Sequence, residues 1–246
     1  MRVLVVTAVP AERDAVTRAF GDGSGGGPGD GSRGGPGTRA HQVPGAELHR
    51  AGPFDVLAGG AGPAAAAAAT AFGLASGPYG LVVSAGIGGG FAPAAPVGSL
   101  VVASGIVAAD LGAETPGGFV PVTGLGFGRD RFTPPPARVR DVAAATGALA
   151  AEILTVSTVT GTADRAAALL AAHPGAAAEA MEGFGVAEAA DRVGTPVLEI
   201  RAVSNAVGPR DRDAWRIGDA LAALTEAFGK LVPVLEGWTH HDRNNS

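Results

Sequence analysis

Between Asp55 and Asp110 the chain carries no charged side chain. A run of that length belongs in a bilayer or in a protein core, because exposing it to water is unfavourable. Pro63, Pro78, Pro93 and Pro96, with the glycines among them, cut it into pieces shorter than the roughly 18 to 20 apolar residues a membrane-spanning helix needs. The run is therefore expected to supply buried strands and packed helices, not a membrane anchor.

Short runs rich in Val, Leu and Ile, bounded by Gly, Pro or Ser, predict strands over residues 2–7, 54–58, 81–84, 99–104, 153–159 and 197–204. Most are apolar at successive positions, as in strands covered on both faces. Helix candidates lie between them, over residues 11–19, 64–74, 137–145, 163–172, 184–192 and 213–235. This alternation predicts an α/β fold: a single three-layer αβα domain over residues 1–238 with a central, largely parallel, mixed sheet. Residues 21–39 are almost all Gly, Pro, Ser and a few charges, and are expected to form a flexible loop extension. Residues 239–246 are expected to be a disordered tail. The apolar start, Val3 to Val6, is too short for a signal peptide before Pro10 and Glu12-Arg13-Asp14, and reads as a strand.

The chain has no Cys. That removes disulfides, thiolate metal sites, iron–sulfur clusters and Cys nucleophiles, and fits a reducing, cytoplasmic compartment. A net charge of -5 with no Lys/Arg cluster argues against a nucleic-acid or anionic-membrane partner and favours a small molecule. His41, His49, His173, His240 and His241 include no i,i+4 pair, so no metal site is expected.

Ligands of α/β sheets sit at the carboxyl ends of strands. Four segments fall there. Glu12 follows the first strand and could be a general base, although a carboxylate is also favoured in any first helical turn. The run Ser84-Ala85-Gly86-Ile87-Gly88-Gly89-Gly90-Phe91 could bring backbone N–H groups close to a ligand, or could simply be a tight turn. It is not a dinucleotide fingerprint, since Phe91 takes the place of the last glycine and Ala92-Pro93 cannot open the required helix. Gly124-Leu125-Gly126-Phe127-Gly128-Arg129 fails the same test. Met181-Glu182-Gly183 sets a carboxylate that could accept from a ribose diol beside an apolar floor, or a helix-start carboxylate beside a core Met. Ser204-Asn205 ends a strand with an amide that offers both donors and an acceptor to a base edge, or serves as a turn residue.

The order and context of Glu12, Gly86 to Pro93, Met181-Glu182-Gly183 and Arg201-Ala202-Val203-Ser204-Asn205 resemble the nucleoside phosphorylase and nucleosidase superfamily. The similarity is to the nucleosidase branch that includes methylthioadenosine/adenosylhomocysteine nucleosidase, and it spans nearly the whole chain apart from the Gly-rich extension and the tail. Within it the chain is most similar to the futalosine hydrolases of the alternative menaquinone pathway. That likeness runs through Thr158-Val159-Thr160-Gly161-Thr162-Ala163, Ala109-Asp110-Leu111-Gly112-Ala113-Glu114 and Ser204-Asn205 followed by Gly208-Pro209-Arg210-Asp211.

The resemblance implies a hydrolysis in which Glu12 activates water, Glu182 binds the ribose hydroxyls, Met181 packs on the sugar, and Gly86, Ile87, Gly88 and Ser204 line the substrate site. It implies no cofactor, a purine nucleoside as small-molecule partner, and a homo-oligomer. Asn205 stands where adenine-specific relatives carry Asp. An amide can donate to a 6-oxygen and accept from a protonated N7, which favours hypoxanthine. Asp211 is a candidate source of the N7 proton. Arg129, Arg131, Arg210 and Arg212 are all candidates for the carboxylate of futalosine, with no choice among them. Alternatives are a purine nucleoside phosphorylase acting on inosine, an adenine-specific nucleosidase, and a catalytically silent nucleoside-binding module. A glycine run without cations disfavours phosphate binding.

Overall fold

Alternate residues of the first strand, β1 (Val3–Thr7), face two different apolar layers: Val3 and Val5 one, Leu4 and Val6 the other, all fully buried. A strand points successive side chains to opposite faces, so a strand apolar at every position needs helices on both sides. The computed structural model, which describes residues 1–20 and 39–244, has them. One layer is closed by α1 (Pro10–Arg18), α3 (Pro136–Thr146) and α6 (Ile217–Asn244), through Ala15, Val16, Val139, Val142, Leu224 and Phe228. The other is closed by α2 (Pro63–Leu74) and α5 (Gly183–Asp191), through Ala66, Ala69, Phe184, Val186 and Ala187. A helix α4 (Ala163–Ala172) packs Leu169 onto a third, smaller cluster. Pro10, Pro63 and Pro136 each open a helix, where a missing N–H costs nothing.

The strands expected from the sequence are present as β1, β4 (Phe54–Ala58), β5 (Leu81–Gly90), β6 (Leu100–Ala108), β10 (Leu149–Thr155) and β12 (Val197–Ala206), although β10 overlaps its expected range only at residues 153–155 and residues 156–159 leave the sheet as a loop. Others carry no such signal: β2 (Arg39–Val43) and β3 (Ala46–Ala51), the hairpin β7 (Gly112–Thr115) with β8 (Gly118–Pro121), β9 (Arg131–Phe132), and β11 (Ala176–Ala180). β11 reads Ala-Ala-Ala-Glu-Ala and is buried at every position. Alanine has no strand preference of its own, so its pairing with β10 decides its state. Residues 21–38 of the expected loop extension lie outside the described residues, and Arg39 begins β2. The final helix continues to Asn244, so residues 239–244 are helical where a tail was expected.

The main sheet runs β11-β10-β6-β12-β5-β1-β4-β3-β2 and is mixed, with β12 parallel to β5 and antiparallel to β6. It departs from an open sheet at one place. The Gly86–Gly90 half of β5 is strand, not loop: it pairs with β12 as far as Ala206↔Gly90, and Gly89 and Gly90 also pair antiparallel with Glu179 and Ala178 of β11. β11, β10, β6, β12 and β5 thereby close into a ring beside the open part of the sheet. Glycine makes the closure possible, since a Cβ on Gly88 would lie 2.8 Å from the Glu179 carbonyl oxygen. Among the described residues no helix is long and apolar enough to cross a membrane.

Helices α2 and α5 cross with Gly185 against the carbonyl of Pro63, where a Cβ would overlap the oxygen. Gly185→Ala is expected to cost about 1–3 kcal/mol by overpacking, a Tm loss of several degrees in a thermal melt. Gly229→Ala, on an exposed face of α6 where a Cβ meets nothing within 4 Å, should hold or raise Tm.

Candidate active site

Glu12 is the third residue of α1, and its carboxylate turns back over the helix start. Oε2 accepts from the backbone N–H of Ala8 at 2.9 Å and of Val9 at 3.2 Å, and Oε1 accepts from Ile87 N–H at 2.9 Å. The last bond ties the first helix to the glycine half of β5. Gly86 is required behind it, because a Cβ there would stand 2.5 Å from Glu12 Oε1 and 2.7 Å from Arg201 Nη1. Burial pushes the Glu12 pKa above its ordinary value, against the pull of Arg201 and of the backbone donors. A carboxylate held in one orientation with raised basicity suits a general base.

Arg201, on β12, is the centre of the buried charge and is 1% exposed. Its Nη1 lies 3.1 Å from Glu182 Oε2, its Nε donates to Glu199 Oε1 at 2.9 Å, and its Nη2 donates to Ser84 Oγ at 2.9 Å. Burial disfavours the guanidinium charge, yet Glu199, Glu182 and Glu12 together hold its pKa above the ordinary value. Glu182, at the start of α5, is fixed by two further bonds: Oε1 accepts from Gly62 N–H at 3.2 Å and Oε2 from Met181 N–H at 3.3 Å. The positive φ of Gly62, 93°, turns that N–H toward the carboxylate.

Glu12 and Glu182 face one cavity of about 250 Å³, with Ile87, Gly88, Met181, Ser204 and Asn205 also in its wall. Asn205 Oδ1 accepts from Ser204 Oγ at 2.9 Å, and Nδ2 donates to Ala206 O at 3.0 Å, leaving one N–H and an acceptor lone pair for a ligand. Two residues from the sequence reading stand elsewhere. Gly86 lies behind Glu12 and Arg201, outside the cavity wall. Asp211 is exposed outside the wall, its Oδ1 accepting from Asp213 N–H at 3.2 Å to cap the short 3-10 turn Arg212–Ala214.

Further residues complete the wall, of which Trp215 carried no signal in the sequence, while Val159 and Thr160 entered only through the family likeness and Arg210 only as one of four candidate arginines. Thr160 and Val159 line the cavity, and their loop is tied down twice. Thr160 N–H donates to Glu179 Oε1 at 2.8 Å, its hydroxyl contacts Glu179 Oε2, and Ser157 N–H donates to Asp110 Oδ2 at 2.6 Å. Trp215 and Arg210 form part of the rim. Arg201 and Glu199 could have been flagged as charges inside an apolar strand, Leu198 to Val203, where a charge must be paired to be buried. Among the described residues no cluster of His, Cys, Asp or Glu could hold a metal ion.

Glu199 is fully buried, its Oε2 has no partner, and it packs so closely on Gly183 that a Cβ there would overlap the carboxylate. Burial pushes its pKa up to about 7, against the pull of Arg201. The native state thus keeps a proton that the unfolded chain releases near pH 4.5, so this group's contribution to stability falls as pH rises from about 4.5 to about 7 and is flat above. Glu199→Gln should remove that decline, so that Tm of the variant gains several degrees on the wild type between pH 5 and 7.5. A Tm difference constant with pH would contradict it.

The chain matches the family model described as the phosphorylase superfamily over residues 2–234. It is 62% identical to the futalosine hydrolase of Streptomyces coelicolor, over 99% of this chain and 100% of that protein. Among solved structures, futalosine hydrolase of Helicobacter pylori superposes with TM-score 0.78 at 14% identity, over 95% of this chain and 97% of that one. A methylthioadenosine/adenosylhomocysteine nucleosidase from Colwellia psychrerythraea, in complex with adenine, superposes with TM-score 0.75 at 22% identity over 94% of this chain and 96% of that one. These likenesses, over a strand-end cavity that holds two carboxylates around a buried arginine, make the chain a member of the phosphorylase superfamily and, within it, of the futalosine hydrolase family.

Proposed function

We propose that the chain hydrolyses the N-ribosidic bond of futalosine and releases hypoxanthine, a step of menaquinone synthesis. The observation that carries this reading is Glu12, pinned by three backbone N–H groups with raised basicity, sharing a cavity with Glu182. The 62% identity to the Streptomyces coelicolor enzyme supports the substrate.

Breaking the bond moves its electron pair onto the purine and leaves positive charge on the ribosyl ring. Glu182, held by Gly62 and Met181 N–H and by Arg201, accepts from the ribose hydroxyls; Met181 forms the apolar floor. Glu12 takes a proton from the water whose oxygen bonds to the anomeric carbon. Its negative charge, on a residue 3% exposed, also favours the cationic ring. Asn205 donates its free amide N–H to the 6-oxygen and accepts from N7–H. The N7 proton comes from solvent, since Asp211 is engaged at the 3-10 turn outside the cavity. No cofactor enters the scheme.

Phosphorolysis fits less well. Among the described residues of the cavity wall the one cation is Arg210 at the rim, and Arg201 behind the wall is engaged by Glu182 and Glu199. A phosphate dianion would meet Glu12 at the nucleophile's place. A cytoplasmic setting and a homo-oligomeric state belong to the same reading, supported by the lack of Cys and by exposed Leu111, Phe119, Leu125 and Phe127 in and around the β7–β8 hairpin.

Chromatography of reactions with futalosine, inosine and methylthioadenosine, each with and without phosphate, tests the reading. Phosphate-independent hypoxanthine from futalosine is expected. Phosphate-dependent release from inosine, adenine release from methylthioadenosine, or no release at all would each reject it. Glu12→Gln should lower kcat at least 100-fold while a nucleoside still binds. Asn205→Asp should shift preference toward 6-aminopurine nucleosides by tenfold or more, read as the ratio of kcat/KM for the 6-amino and 6-oxo forms of one nucleoside.

A further inference from the structure

Among the described residues of the cavity wall the acidic side chains are Glu12, Glu179 and Glu182, against which the interior sets the single guanidinium of Arg201. A second anion cannot be lodged there without strong repulsion, so an acidic substituent on the substrate must point to the mouth. The exposed residues of the wall, Val9, Val159, Ala206, Pro209 and Arg210, mark the mouth, and Trp215 is half-buried beside them. Two guanidinium groups lie over the Trp215 ring, Arg210 at 5.3 Å and Arg212 at 5.6 Å from its centroid. Among the described residues neither has a carboxylate within ion-pair distance. The stem of Arg210 also runs beside Gly161, where an added Cβ would sit 3.7 Å from its Cγ, so this side chain bridges the rim to the loop of Thr160.

The other two arginines that could read an acidic group are already engaged. Arg129 is paired with Asp191 at 2.9 Å and lies over Phe132. Arg131 donates to Glu152 at 2.6 Å. Arg212 stands beside the rim but does not line the cavity.

We propose that Arg210, braced on Trp215 at the cavity mouth, is the specificity-determining residue that reads the carboxylate of the substrate's acidic 5′ substituent, an aryl carboxylate in futalosine. This rests on the function proposed above. A guanidinium offers a planar pair of donors that matches a carboxylate in a bidentate bond, and an arginine without a protein carboxylate has that pair to spend on a ligand. The selectivity has two sources: attraction at the rim, and rejection of the same charge by the carboxylates within.

Two measurements test it. In the first, kcat and KM are determined for futalosine and for inosine, which lacks the acidic group, with wild type, Arg210→Ala, Arg210→Lys and Arg212→Ala. Arg210→Ala should raise KM for futalosine roughly 10- to 100-fold with little change in kcat, and raise KM for inosine at least about fivefold less. Arg210→Lys should recover part of the loss, and Arg212→Ala should cost less than Arg210→Ala. An unchanged KM for futalosine, or an equal loss with both nucleosides, would overturn the proposal. The second needs no turnover. In a Trp238→Phe background, Trp215 is the one remaining tryptophan, and its fluorescence is titrated with benzoate and with benzamide. A saturable response to benzoate, weaker with benzamide and lost in Arg210→Ala, is expected; equal responses to the two, or a benzoate response that survives Arg210→Ala, would overturn it. A wild type that binds benzoate through Arg210 but releases no hypoxanthine would reject the proposed reaction and leave the anion subsite standing.

Discussion

One guanidinium surrounded by carboxylates organises this protein. Arg201 is buried at the middle of β12 and faces Glu182 and Glu199 directly, with Glu12 close enough to add to the field. Taking such charges out of water costs several kcal/mol each unless every one finds partners. The surroundings show how that demand is met. Ser84 accepts from the guanidinium, Gly62 and Met181 donate to Glu182, and Ala8, Val9 and Ile87 donate to Glu12. Glu199 is satisfied at one oxygen alone, and a proton on that group at and below neutral pH relieves the excess of negative charge. The two cavity carboxylates, Glu12 and Glu182, are therefore held by the same contacts that make the buried charge tolerable.

The glycine run of β5 follows from this arrangement. Four chain segments converge within a few ångströms of Gly86 to Gly90: α1 through Glu12, β12 through Arg201 and Asn205, β11 through Glu179, and the 92–96 turn through Ala95. Side chains on β5 would hold these groups apart. Their absence lets the strand pass between two partners and close the ring, while its backbone N–H at Ile87 anchors Glu12. A strand in a functional role replaces the loop that a glycine-rich segment usually suggests.

Away from the charge cluster, the site is completed by pieces that are ordered by ties to the sheet. The loop carrying Val159 and Thr160 is clasped by Asp110 at one point and Glu179 at another. The segment beyond β12 is turned by Gly208, at φ 141°, and by the 3-10 turn that Asp211 caps, which brings Trp215 back over the cavity. The cavity wall is thereby divided: Glu12 and Glu182 lie at strand ends, Ser204 and Asn205 in the last residues of β12, and the positive charge of Arg210 on the exposed segment beyond them.

Much of this was legible in the residues alone. Contiguous apolar runs and proline-led helices determine the three-layer α/β class, since a strand apolar at every position has no other stable environment. The positions of Glu12 and Glu182, next to strand ends, mark them as candidates from the pattern. Legibility stopped where local signals carry no preference. The Ala-rich β11 becomes a strand through its neighbours, and the glycine run becomes a strand because β12 and β11 pair with it. Asp211 reads as a site residue by spacing but is used as a turn cap. Arg201 was read only as part of the motif that ends at Asn205, and its pairing with Glu199 as buried charges in an apolar run was missed. Local pattern was enough for the fold class, the family likeness and the candidacy of Glu12 and Glu182; tertiary packing placed these two with Glu179 in one cavity wall, left Arg210 without a carboxylate partner among the described residues, and set one buried guanidinium among the carboxylates. The physical reason is that burial, desolvation and charge pairing act between residues far apart in the chain, at distances that no local pattern encodes.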